Sequence, residues 1–243
     1  ALFDRPPVLC GHRGSGKGIV DGHHENTLDS FRAAVAAGLG WVEVDARLNA
    51  DGLLVSRHDP TLEDGRFVSE LTTEETDELE LMRVADLLEE LPAEIGVDVD
   101  VKTSLEDALR PRGETTGALV ADLLASAARR PVLVTSFDAS VIAIVRERAP
   151  DLPVGLLTWH RFPLRKAIAA AAHLGADVVA PHAGAFLGEQ RFERPAHRSV
   201  RVAHEAGLEV LTWSLGLADM AELMAAGIDC LVVDDAPRAA ASQ

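Results

Sequence analysis

Eight short runs of strand-like sequence recur along the chain, most of them separated by stretches of helical periodicity. They are "PVLCGHRG", "WVEVDARL", "IGVDVDVK", "PVLVTSF", "VGLLTW", "DVVAPHAG", "LEVLTWS" and "CLVVDD". Amphipathic helical segments fall at 28–37, 117–129, 139–148, 164–174, 194–206 and 218–226. Strands joined through crossover helices pair in parallel, and the helices cover the sheet. Eight such units of about 30 residues each make a closed barrel, and the chain has 243 residues. The expected fold is α/β, one (β/α)8 TIM barrel domain over 1–243. A doubly wound open sheet is the competing architecture. Polar residues at the ends of many different strands favour the barrel.

One segment breaks the rhythm. After the second run comes "LLVSRHDP", an extra extended piece that follows a turn at Asp51-Gly52. An acidic stretch then leads to the third run, with helical parts expected to be solvated and capped around Thr72 and Thr73. This reads as a small excursion after the second strand. No Pro/Gly/Ser-rich linker marks a second domain.

Hydrophobic residues make up 47% of the chain, enough for a sizeable core, and the net charge is −16. That charge excludes a nucleic-acid partner, which needs clustered Lys and Arg. An anionic small-molecule substrate would need a local positive centre. No apolar run approaches the roughly 20 residues of a membrane helix, so no stable membrane insertion is expected. The acidity and 4% aromatic content also speak against membrane docking. No signal peptide opens the sequence, so the expected location is cytoplasmic, a leader already removed being the other reading. Two cysteines are too few for a disulfide framework or zinc site. Cys10 and Cys230 sit in apolar runs and are expected to be buried free thiols.

In "WVEVDARL", Glu43 and Asp45 are two apart and share one face of the strand, while Val42, Val44 and Ala46 take the other. Inward-facing paired carboxylates need a cation or a shared proton. "VDVDVK" repeats the pattern with Asp98, Asp100 and Lys102. Asp100 is then a candidate third oxygen ligand; an Asp100–Lys102 salt bridge is the plainer alternative. An all-carboxylate set points to Mg2+ or Ca2+. His12 and His58 each end an extended piece beside a charged residue, and both can exchange protons near neutral pH. Together with a metal they suit acid–base cleavage of a phosphate ester. His23 and His24 lie in a loop near this site. His173, His197 and His204 fall on helices, and nothing adjacent gives His160 or His182 a role.

"GHRGSGKGIV", residues 11–20, is nearly a P-loop. That motif needs Ser or Thr after the Lys, and Gly18 follows Lys17. Helix signals begin only at Asn26 and Thr27. Lys17 is therefore expected at an exposed loop tip, with the chemistry in His12 and Arg13.

His12-Arg13-Gly14, Glu25-Asn26-Thr27, Glu43-Val44-Asp45 and His58-Asp59 occur in that order. Together they resemble the N-terminal signature of glycerophosphodiester phosphodiesterases. Ser136-Phe137, Trp213 and Gly227…Asp234 are later, thinner landmarks. The resemblance implies hydrolysis of a small-molecule glycerophosphodiester to an alcohol and glycerol 3-phosphate. It implies that His12 and His58 are the catalytic acid and base, and that Glu43 and Asp45 are metal ligands. Asp100 stands where the family usually has Glu, one methylene longer. With that assignment, Arg13 and Lys102 are expected to bind the phosphate. Trp213 is read either as a wall for the glycerol carbons or as barrel core, and Asn26 as holding the Glu25 loop or capping a helix. A sphingomyelinase D-like phospholipase on the same fold and a non-catalytic phosphodiester-binding barrel are the alternatives.

Overall fold

The computed structural model describes residues 1–126, 130–187 and 194–242. Eight parallel strands form a closed ring: β1 (Val8–Gly11), β2 (Trp41–Leu48), β3 (Gly96–Val101), β4 (Val132–Ser136), β5 (Val154–Thr158), β6 (Val178–Pro181), β7 (Glu209–Leu215) and β8 (Cys230–Val233). Each pairs with the next in chain order, and β1 joins β8 through Val8↔Cys230 to Gly11↔Val233. That last pairing is what an open doubly wound sheet lacks. The fold is a (β/α)8 TIM barrel.

The excursion forms for local reasons. Asn49 folds back on its own loop, its Oδ1 accepting from Asp51 N at 3.0 Å and Leu53 N at 2.7 Å. The chain then returns as Leu54–Ser56, antiparallel to β2. Farther on, Thr72 and Glu75 form a reciprocal capping box on the helix Thr73–Glu78, satisfying two end groups at once.

Helices follow the strands nearly where periodicity places them: Leu28–Ala36, Thr116–Ser126, Ala139–Arg148, Leu164–His173, Ala196–Glu205 and Met220–Ala225. The expected segment 117–129 extends over 127–129, which lie outside the described residues. Thr27 is the N-cap of the first helix, its Oγ1 accepting from Ser30 N at 3.4 Å. A short C-terminal helix, Ala236–Ala240, capped by Asp235, had no periodic signal of its own.

Strand alternation divides the barrel. Val42, Val44, Ala46, Val97, Val99 and Val101 face the helices and join the outer core. The inner floor is built from Phe3, Cys10, Trp41, Leu133, Leu211 and Cys230, among others. Both cysteines are buried free thiols. Gly96 makes room for this floor, because a Cβ there would lie 2.2 Å from the Trp41 ring. Gly96→Val is expected to cost about 3 kcal/mol through overpacking, read as a lower urea midpoint. An unchanged midpoint would contradict this packing of Trp41.

Candidate active site

Above the floor, inward positions become polar. A cavity of ≈ 600 Å³ opens at the C-terminal ends of the strands, lined by His12, Arg13, Glu43, His58, Asp100, Lys102 and Trp213 among others. This is the end where barrels of this class carry their sites. Of the residues given catalytic, substrate-binding or metal roles in the sequence, all but Asp45 line it directly; Asp45 is buried beside Glu43 and Asp100.

β2 and β3 pair with Glu43 opposite Asp98 and Asp45 opposite Asp100. That register stacks four carboxylates on one inner wall. Glu43, Asp45 and Asp100 are buried, and each offers an oxygen within 4.8 Å of the others. Asp98 sits apart, accepting from Thr135 Oγ1 at 2.9 Å. Burial, then Asp45 and Asp100, push the Glu43 carboxyl well above its usual range. Burial likewise raises Asp100, against the pull of Lys102. Burial would raise Asp45 too, but Lys102 and Arg13 hold it below the usual range.

The donor set fits a hard dication. Glu43 Oε1, Asp45 Oδ1 and Asp100 Oδ1 are all buried without a hydrogen bond. Buried carboxylate oxygens are normally satisfied; here one on each of three neighbouring residues is not. Asp45 Oδ1 faces only the Lys102 ammonium at 3.1 Å, outside hydrogen-bond geometry. Lys102 also pairs with Asp100, and its own pKa is raised by Asp100 and Asp45 despite burial. The salt-bridge reading of Asp100 is realised, and its other oxygen, Oδ1, is left without a hydrogen bond. Arg13 and Lys102 are the cations nearest four carboxylates, a deficit that a dication would offset.

The loop after β1 shapes the other wall. Arg13 and Gly14 both take left-handed backbone, at φ 52° and 96°. A Cβ at Gly14 would also meet Ser30 Oγ at 2.5 Å, so only glycine fits there. The Arg13 amide donates to Glu43 Oε2 at 2.9 Å. Its guanidinium donates to Glu25 Oε1 at 2.8 Å and lies 3.3 Å from Asp45. It also donates from Nε to His12 Nε2 at 3.2 Å, while His12 Nδ1 meets Asp234 Oδ1 at 2.5 Å. These contacts fit a neutral imidazole with its proton on Nδ1. His12 pulls the Asp234 carboxyl down against the effect of burial.

His58 is built the same way. Its Nδ1 meets Asp59 Oδ1 at 2.7 Å, which lowers the Asp59 carboxyl. Its carbonyl accepts from Arg47 Nε at 2.9 Å and Nη2 at 2.5 Å. Each histidine thus has a carboxylate on one nitrogen, the arrangement that orients an imidazole for proton transfer.

Opposite the carboxylates stands an aromatic wall. Phe137 stacks on Trp159 with centroids 4.0 Å apart and meets Trp213 edge-on at 5.4 Å. The Trp213 indole Nε1 donates to the Ala180 carbonyl at 3.2 Å. Trp213 therefore bounds the cavity and also packs against the inner floor.

The structure corrects or adds to the sequence reading at four places. Asn26 does not cap the helix, which Thr27 does; it holds the Glu25 loop by tying it to β2. Its Nδ2 donates to Asp45 Oδ2 at 2.9 Å and its Oδ1 accepts from Ser56 Oγ at 2.8 Å. Asp234 is a partner of His12, not only a landmark. Arg47 was missed, although its place two residues after Asp45 puts it on the inner face. His23 and His24 form a small hairpin with Ile19–Val20 and do not line the cavity. Lys17 is exposed as expected, and its amide bonds to Asp234. Asn26→Ala is expected to weaken divalent-metal affinity by about 10–100-fold, measured by titration of the metal-free protein. Unchanged affinity would remove Asn26 from the support of Asp45.

The profile of the "Glycerophosphoryl diester phosphodiesterase family" matches residues 12–237. A glycerophosphodiester phosphodiesterase of Caldanaerobacter subterraneus subsp. tengcongensis is 24% identical, the match covering 94% of each chain. The solved phosphodiesterase of Oleispira antarctica, in complex with the product sn-glycerol-3-phosphate, superposes with a TM-score of 0.78 at 21% identity, over 97% of this chain and 96% of that one. The glycerophosphodiester phosphodiesterase of Thermotoga maritima gives 0.74 at 22% identity, over 95% and 96%. These structural likenesses show the fold.

Proposed function

The chain belongs to the glycerophosphoryl diester phosphodiesterase family, and from that premise we propose a metal-assisted, two-histidine hydrolysis of glycerophosphodiesters to glycerol 3-phosphate and an alcohol. The observation that carries this reading is the pairing of the orphaned carboxylates with two carboxylate-held histidines around one cavity. The product named in the Oleispira antarctica complex supports it.

Glu43, Asp45 and Asp100 would hold the cation, which when bound supplies positive charge against the phosphoryl oxygens. Mg2+ and Ca2+ both suit these oxygen donors. Lys102, at the mouth of β3, and Arg13, behind His12, add fixed positive charge where negative charge grows in the transition state. One imidazole takes the proton from the attacking hydroxyl as the new P–O bond forms. The other gives a proton to the departing alkoxide as the old P–O bond breaks. The attacking group is water or the neighbouring glycerol hydroxyl; in the second case a cyclic phosphate forms and water opens it. Trp213 and Phe137 offer the glycerol carbons an apolar wall.

The test is release of glycerol 3-phosphate from glycerophosphocholine, glycerophosphoethanolamine and glycerophosphoglycerol, each with Mg2+ and with Ca2+. Turnover of at least one diester with one ion is expected. Binding without release across the panel would contradict the proposal and support a non-catalytic barrel.

A further inference from the structure

The strong overall acidity is unevenly spread. Beyond β5 and β6, Arg161, Arg165, Lys166, Arg194, Arg198 and Arg201 are all exposed. Along 159–206 the acids are Asp177, Glu189, Glu193 and Glu205, of which Glu189 and Glu193 lie outside the described residues. Asp177 lies at the opposite end of the barrel, accepting from the amide of Val154 at the start of β5. Glu205 is the last residue of its helix. Leu164–His173 and Ala196–Glu205 start at the cavity end, because they follow the C-terminal ends of β5 and β6, and they pack together.

Their first turns carry no acid. Arg165 and Lys166 occupy one, His197 and Arg198 the other. Cations there oppose the helix dipole, so the fold tolerates a local cost. Leu28–Ala36, Val84–Glu90 and Met220–Ala225 all have acids in the first turn.

One exposed aromatic side chain borders the basic patch. Trp159 is 64% exposed although one face stacks on Phe137. An interfacial tryptophan beside Arg and Lys suits a lipid headgroup layer.

We propose that this sector, from Trp159 to Arg161, Lys166 and Arg198, docks peripherally on an anionic lipid bilayer. The charge of this sector is complementary to such a surface. The acidic excursion leaves β2, diametrically across the ring from β6, and is repelled, so the barrel tilts with its β5–β6 side down. Trp159 also lines the cavity, so docking turns the cavity mouth toward the lipid–water interface. What docking delivers rests on the hydrolytic reading; docking itself does not.

The full chain is sedimented with vesicles of phosphatidylcholine alone or half phosphatidylglycerol, with no substrate present. Binding to the anionic vesicles is expected at low salt, with release by about 0.5 M NaCl as charges are screened. Arg161→Glu/Lys166→Glu/Arg198→Glu is expected to lower partitioning about tenfold or more and to keep turnover of soluble glycerophosphocholine. Absence of sedimentation, equal sedimentation with pure phosphatidylcholine, or unchanged partitioning of the triple variant would overturn the proposal. So would a solution dimer that the triple variant abolishes, which would assign the patch to a second copy of the chain. Vesicle binding and turnover are read separately, so failure of one leaves the other standing.

Discussion

His12→Ala lowers turnover of glycerophosphocholine by about 10³-fold, the usual scale for losing a positioned proton-transfer group. The fold should survive. The imidazole packs at the cavity edge and not in the apolar floor, and the Asp234 carboxylate it leaves is 39% exposed and still bonded by the Lys17 amide. His58→Ala is expected to behave alike, since Arg47 grips the backbone carbonyl of that residue and not its ring. Asp234→Asn separates position from chemistry. It keeps the shape but offers His12 Nδ1 an amide that can donate, which favours the wrong tautomer. It should lower kcat by about 10²-fold with little change in KM. Full activity of either alanine variant would end the catalytic assignment of that histidine.

Excess EDTA stops turnover completely, and Mg2+ or Ca2+ restores it. A ligand that binds only the folded state also stabilises it, by about 2.7 kcal/mol at a hundredfold excess over its Kd. The melting temperature should therefore fall on chelation and recover with the metal. Asp45→Asn strikes the same centre harder. Asp45 is the carboxylate that Lys102 and Arg13 keep ionised, and Asn26 aims it. The amide variant would face two buried cations with no charge, so loss of activity of about 10³-fold or more and loss of metal affinity are expected together. Full activity in excess chelator would remove the metal from the account.

Much of this site could be read from period-2 alternation. Valines between acids in "WVEVDARL" and "GVDVDV" place Glu43, Asp45 and Asp100 on the inner face, and the strand bounds of β2 coincide with the run. His12 and His58 followed from their places at the ends of extended pieces. What stayed hidden depends on contacts far apart in sequence. Asp234 reaches His12 across the β1–β8 closure, a separation of 222 residues. Asn26 looked like a cap because Asn is a good cap, and its contact with Asp45 exists only once the first loop folds over β2. Net charge says nothing of how charge is distributed. A sum over the chain argues against any lipid surface, whereas the fold gathers Arg161, Lys166 and Arg198 on one side of one face.

The most direct measurement follows phosphorus itself. The metal-loaded protein is mixed with glycerophosphocholine in ¹⁸O-labelled water and observed by ³¹P NMR. The diester resonance is expected to give way to that of glycerol 3-phosphate carrying the label, whether water attacks at once or opens a cyclic phosphate. Phosphocholine as the labelled product, or a diester resonance unchanged with either Mg2+ or Ca2+, would contradict it.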